Sequence, residues 1–282
     1  MFEATVRELI AGRLPGYRVE QVDVLGAGLD NTAYVVNREV VVRFAKDVES
    51  AAVEREARLL KVVGGISPLA VPKPLFTETS LGCLAYRMVP GTPLIEFPGT
   101  DGVHVARQLG AFLAALHTAP GEIFEQLITP DVAPLAEWLE EAAEGFDGVR
   151  RHVPAGFHPM IARFLSEEPP AEPESLVFSH NDLGIEHVMV DASGTATGVI
   201  DWTDAALVDR AYDFGLLYRD LGPDALTAAL AAYPLTDDQD VAERARFYAR
   251  CSLFEDLAFG LETSRDRYLT KSLRALDWLF PV

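Results

Sequence analysis

Several things are scarce in this chain, and each scarcity excludes something. There are two cysteines, Cys83 and Cys251, both among apolar neighbours. Two cysteines cannot build a disulfide framework, and their spacing is not that of metal ligands, so they read as buried reduced thiols. No apolar run is long enough to cross a bilayer. The start, Met1-Phe-Glu-Ala-Thr-Val-Arg7, lacks the basic-then-apolar order of an export signal, so a cytoplasmic protein is expected. Positive charge is also scarce: 24 Lys and Arg against 43 Asp and Glu give a formal net charge of −19. Like charge repels, so nucleic acid and anionic membranes are poor partners, whereas a cationic ligand would be attracted. No repeat or low-complexity tract is visible, and nothing demands more than a monomer.

What the chain does have is apolar content, 49% over 282 residues, enough for two lobes. A short helix over 3–13 ends at Pro15-Gly16. Three runs rich in Val, Tyr and Phe follow, at 17–25, 32–37 and 39–44, and read as strands. Val53, Ala57, Leu60 and Val63 recur at helical spacing, which predicts a helix over 50–63. A proline-broken stretch precedes a further strand over 82–88. Residues 1–91 therefore read as a small sheet-based lobe and 92–282 as a larger helical one. In the latter, helices are expected at 103–118, 131–147 and 157–168, short strands at 176–179, 187–191 and 196–201, and four or five helices beyond 210.

The motifs sit at the joints of this pattern. Leu25-Gly-Ala-Gly-Leu-Asp-Asn-Thr-Ala-Tyr34 lies between two strands, where Gly26 and Gly28 would let backbone amides approach a phosphate. Val40-Val-Val-Arg-Phe44 sets one cation, Arg43, in an apolar strand. Glu56, in the middle of the next helix, is placed to pair with it. Phe178-Ser-His-Asn-Asp-Leu-Gly-Ile-Glu-His187 carries the most information. Asp182 can accept a substrate hydroxyl's proton or aim that hydroxyl at a γ-phosphate. Asp201 ends the apolar strand Gly198-Val-Ile, where a carboxylate suits a metal ion better than it suits fold stability. His187 stands five residues after Asp182, where kinases place a metal-binding asparagine. An imidazole is a second-rate magnesium ligand, so His187 either holds the metal weakly, acts through water, or contacts phosphate. Asp213 is expected to brace the loop around Asp182.

Together these motifs, in this order, resemble the aminoglycoside phosphotransferases, antibiotic kinases of protein-kinase-like fold. The resemblance covers nearly the whole chain and also includes Tyr86-Arg-Met-Val-Pro-Gly-Thr-Pro-Leu94 and Asp209–Phe214. It looks most like the 2″-type enzymes, through His-Asn-Asp followed by histidine and through Phe259-Gly-Leu-Glu262. The resemblance implies a bilobal α+β fold, with ATP or GTP between the lobes and the base against a hinge at Arg87, Met88 and Val89. It implies Mg²⁺ at Asp201 and His187, and a drug on an acidic surface formed by Asp220, Glu255, Asp256 and Glu262, whose carboxylates would hold ammonium groups. Arg43 in place of lysine departs from the family pattern. Two alternatives stand beside this reading. One is a macrolide or other small-molecule kinase, for which Leu253, Phe254, Leu257 and Phe259 would supply a more apolar site. The other is a nucleotide-binding regulator without catalysis.

Overall fold

The computed structural model describes residues 2–27, 31–46, 50–97, 99–234 and 238–282. The chain divides into two compact units: Met1–Pro90 with Gly198–Thr203, and Gly91–Thr197 with Asp204–Val282. The return of 198–203 to the first unit was not visible in the sequence, which placed that segment with the helical lobe.

The first unit contains α1 (Phe2–Arg13), β1 (Val22–Ala27), β2 (Asn31–Val36), β3 (Val40–Ala45), α2 (Ser50–Ile66), β4 (Lys73–Glu78) and β5 (Cys83–Arg87). The five strands form an antiparallel sheet in the order β1-β2-β3-β5-β4. Val6 and Ile10 of α1, one helical turn apart, are fully buried in a core with Val36, Val40, Val42, Phe44, Cys83 and Ala85. Side chains alternate along a strand, so β3 turns Val40, Val42 and Phe44 toward that core and Arg43 toward the opposite face. The strand expected from Tyr17 begins only at Val22, because the Asn37 side chain ties up the amides of Glu20 and Gln21 and the carbonyl of Arg18. β4 was hidden in the sequence by Pro72 and Pro74. It is an edge strand, where a missing amide breaks no bond to a further neighbour.

Gly198 explains how the 198–203 segment sits in this unit. A β-carbon there would lie 2.3 Å from Val89 and 2.6 Å from the Ala70 carbonyl oxygen, so only glycine permits the approach. The Val199 amide then bonds to the same Ala70 carbonyl.

The second unit contains β6 (Thr92–Pro93), α3 (Gly102–His117), α4 (Leu135–Val149), α5 (His158–Phe164), β7 (Val177–Ser179), β8 (Val188–Val190), the first half of β9 (Ala196–Val199), β10 (Ala206–Val208), α6 (Ala211–Leu221), α7 (Pro223–Ala231), α8 (Val241–Glu262) and α9 (Asp266–Leu279). β7 pairs with β10 and β6 with β8. α3 packs on α7, and α8 packs on α4, α6 and α9. Gly215 lets α6 approach α8 closely, since a β-carbon there would meet the Ala245 carbonyl oxygen at 2.8 Å. That contact fixes the helix carrying Asp213 and Asp220. Among the described residues, no helix is long and apolar enough to cross a membrane.

Candidate active site

The residues singled out by the sequence fall into two groups, one in each unit. In the first unit, Arg43 forms an ion pair with Glu56 of α2. Its Nη1 donates to Thr203 Oγ1 at 3.1 Å and lies 3.8 Å from Asp201 Oδ1. Thr203 Oγ1 in turn donates to Asp201 Oδ1 at 3.1 Å. Burial opposes the charge of Arg43, but Glu56, Tyr86 and Asp201 outweigh it and raise its pKa above the ordinary arginine value. Burial lifts the Glu56 carboxyl, Arg43 pulls against that rise, and Asp201 adds to it. Burial also pushes the Tyr86 hydroxyl up to about 12.

Asp201 has φ +61°, a left-handed conformation that is uncommon outside glycine and is often held in place at functional sites. Its side chain keeps 45% of its surface exposed. Magnesium is a hard ion that binds oxygen and usually takes one or two protein carboxylates, with water and phosphate completing its shell. A half-exposed carboxylate at Asp201 fits that need. Among the described residues, no group of three or more His, Cys, Asp or Glu could hold a metal unaided. Gly26 pairs with Ala33 beyond a register shift in β1, and the space above it is open. Gly28 lies outside the described residues. At the expected hinge, Arg87 is exposed, Val89 is buried, and the Met88 amide is spent on the Glu39 carbonyl at 2.8 Å.

In the second unit, the loop between β7 and β8 is built around Asp213. This fully buried carboxylate accepts from Ser179 Oγ at 2.5 Å, from the Asn181 amide at 3.0 Å and from the Leu183 amide at 3.1 Å. It therefore grips the residues on both sides of Asp182. Asn181 has φ +64°, and its Nδ2 donates to Asp131 and to the Asp204 carbonyl. His187 Nδ1 lies 2.8 Å from the Asp182 carbonyl oxygen and 3.2 Å from its carboxylate. Burial works against ionisation of Asp182. The hydrogen bond and charge of His187, with help from His180 and Arg219, reverse that and lower its pKa below the usual carboxylate value. Asp182 is thus held as an ionised, partly exposed acceptor. His187 thus meets both the backbone and the carboxylate of Asp182 through Nδ1.

The four expected drug-binding carboxylates separate. Asp220 and Asp256 are buried, not surface residues: Arg219, the neighbour of Asp220 in sequence, and Lys271, remote from both, lie against each and balance their charge. Glu255 and Glu262 are exposed. Although Glu255 reaches solvent, the protein packed around it removes part of its hydration and raises its carboxyl; Arg219 pulls it down, and repulsion from Asp182 and Asp256 raises it again, which places Glu255 in the field of Asp182. Leu253, Phe254 and Leu257, candidates for an apolar acceptor site, are fully buried in the core. Phe259 packs edge-on against Tyr268.

Residues 21–248 match a family described as the phosphotransferase enzyme family. The chain belongs to that family. It is 29% identical over 250 residues to viomycin phosphotransferase of Streptomyces vinaceus, covering 80% of this chain and 83% of that protein. Among solved structures, the GDP and kanamycin complex of APH(2")-IIia superposes with a TM-score of 0.73 at 22% identity, covering 97% of each chain. A macrolide 2'-phosphotransferase type I superposes with a TM-score of 0.68 at 24% identity, covering 97% of this chain and 96% of that one. At such identities the likeness establishes the fold, which is the α+β kinase-like fold of these phosphotransferases. In this phosphotransferase, sequence reasoning missed Thr203, Arg219 and Lys271. Thr203 lies two residues after Asp201, its one local signal, and no local pattern in the sequence marks Arg219 or Lys271.

Proposed function

We propose that this phosphotransferase moves the γ-phosphoryl group of ATP or GTP to a hydroxyl of a cationic small molecule of the aminoglycoside type, and so confers resistance to that drug. The observation that carries the reading is the state of Asp182: ionised, partly exposed, and locked between the Asp213 bonds and His187. Such a carboxylate can accept the proton of an acceptor hydroxyl or aim that hydroxyl at phosphorus. Glu255, in the same field and open to solvent, would hold an ammonium group of the acceptor, and Glu262 would do so further along α8. Arg43, kept charged and oriented by Glu56, would bind phosphate oxygens through its planar fork. Gly26 and Gly28 would bring the backbone close to those phosphates, and the backbone of Arg87, Met88 and Val89 would face the base.

Asp201 would hold Mg²⁺, which would supply positive charge to the phosphate oxygens during transfer. Thr203 and Arg43 fix the orientation of that carboxylate. His187 would orient Asp182 through its Nδ1 contacts. The relatives support the reading, since one is named for viomycin and a solved neighbour for GDP and kanamycin.

The test is transfer of label from γ-labelled ATP and GTP to panels of aminoglycosides and macrolides, with the Asp182→Ala variant alongside. Label on aminoglycosides, lost in Asp182→Ala while nucleotide still binds, is the expected result. Transfer to macrolides alone would replace the acceptor class, and an inert wild type would favour a nucleotide-binding regulator.

A further inference from the structure

The buried cluster around Lys271 does more than neutralise stray charge. Lys271 lies on α9, and its Nζ sits 3.1 Å from Glu186 Oε2, 3.1 Å from Asp220 Oδ2 and 3.2 Å from Asp256 Oδ1. The ammonium donates to Glu186 and to Asp220, and Asp256 completes the seat as an ion-pair partner. The side chains of Lys271, Glu186, Asp220 and Asp256 are 8%, 12%, 1% and 7% exposed, so solvent screens little of the interaction. Arg219 supplies the second cation, donating to Asp220 Oδ1 at 2.8 Å. Ser272 donates to Asp256 and holds it from the side.

Two of these three carboxylates are tied to the loop that carries Asp182. Glu186 belongs to it, and Asp220 Oδ2 accepts the Ile185 amide at 3.1 Å while also accepting from Lys271. Remove the ammonium, and two buried carboxylates and one nearly buried carboxylate face one guanidinium. Repulsion would then act on Glu186 and on the Asp220–Ile185 bond, and so on the backbone between Asp182 and His187.

We propose that Lys271 is a positioning residue for phosphoryl transfer: its ammonium, seated among Glu186, Asp220 and Asp256, holds the loop that presents Asp182. The inference rests on the reading of Asp182 as the group that orients the acceptor hydroxyl. The seat is reachable from outside, because Ile185, Asp220, Lys271 and Arg274 help line an open cavity of about 410 Å³.

The experiment compares wild type with Lys271→Met, Lys271→Arg, and Lys271→Ala with and without propylammonium. It reads kcat and KM for transfer, nucleotide affinity, and amide hydrogen exchange over residues 183–187. Lys271→Met is expected to lower kcat by about tenfold or more, with nucleotide affinity within about twofold. Exchange over 183–187 should rise in Lys271→Met, and Lys271→Arg or propylammonium on Lys271→Ala should restore both kcat and protection. Wild-type kcat and exchange in Lys271→Met would overturn the proposal. So would a kcat loss that neither changes loop exchange nor responds to Lys271→Arg. Should Lys271→Met not fold, Glu186→Gln must show the same kcat loss at smaller size, and an unchanged kcat would overturn the idea. Failure of the Asp182 reading would show separately, as activity surviving in Asp182→Ala, while loop exchange still reports on Lys271.

Discussion

His187 contacts Asp182 twice, through Nδ1 to the backbone carbonyl at 2.8 Å and to the carboxylate at 3.2 Å. One ring nitrogen therefore fixes both the loop backbone and the acid it presents. Replacing His187 with alanine removes the largest favourable influence on the Asp182 charge, so the Asp182 pKa must rise toward or above its ordinary value. We expect kcat to fall about 10- to 100-fold while nucleotide affinity in the sheet unit stays unchanged. Carbon-13 titration of the Asp182 carboxyl beside steady-state kinetics checks both. An unshifted titration would mean that His187 does not hold Asp182.

The Arg43–Glu56 pair is nearly buried, with side chains 13% and 16% exposed. Losing one partner leaves the other charge stranded. Arg43→Ala should weaken nucleotide binding by about 1.5–3 kcal/mol, the usual worth of hydrogen bonds to a charged group. Glu56→Gln, which keeps the shape but loosens the guanidinium, should cost less. Equilibrium titration with a fluorescent nucleotide measures this, and equal affinity in wild type and Arg43→Ala would remove Arg43 from the phosphate site.

His117 reports on pH. It is buried, with Nε2 2.9 Å from Ser179 Oγ and Nδ1 2.8 Å from the Tyr233 hydroxyl. Ser179 gives its proton to Asp213, so His117 donates to Ser179 and accepts from Tyr233 as a neutral ring. Burial, helped by the charge of Arg210, lowers its pKa to about 3. The unfolded chain protonates this histidine near its ordinary value of about 6.5, and the native protein does not until about 3. Between those values the unfolded state binds more protons, so stability falls as pH falls, by up to roughly 1.4 kcal/mol per pH unit from this group. Urea unfolding from pH 7 to pH 4 should show a slope in wild type that is shallower in His117→Asn. Equal slopes would count against a neutral buried ring.

Gly198→Ala should disturb Asp201 without touching it. The new methyl would meet Val89 and the Ala70 carbonyl oxygen, a backbone atom that cannot swing away. Overpacking of this kind costs about 1–3 kcal/mol. A lowered thermal midpoint with weakened Mg²⁺-dependent nucleotide binding is the expected pair of results. Wild-type values for both would show that the 198–203 segment docks less tightly than the contacts imply.

Much of the site was legible because its chemistry is local. The Phe178–His187 loop, its brace at Asp213, and the order of Arg43 before Glu56 are patterns of residue type and spacing, and the structure seats the Arg43–Glu56 pair and the Asp213 bonds accordingly. β4 was not legible, because prolines argue against a strand unless it is known to be at an edge, and edge position belongs to the sheet. Asp220 and Asp256 looked like surface carboxylates because nothing nearby in sequence marks Lys271 as their shared counter-ion.

The sequence by itself determined which residues are candidates for phosphoryl-transfer chemistry, since hydrophobic periodicity, glycine turns and the aspartate loop are short-range signals. Tertiary structure decided which of the many carboxylates remain exposed. In a chain with 43 acidic side chains, the burial of Asp220 and Asp256 depends on Lys271, brought from a helix distant in sequence. Packing sets those meetings, and no local pattern encodes them.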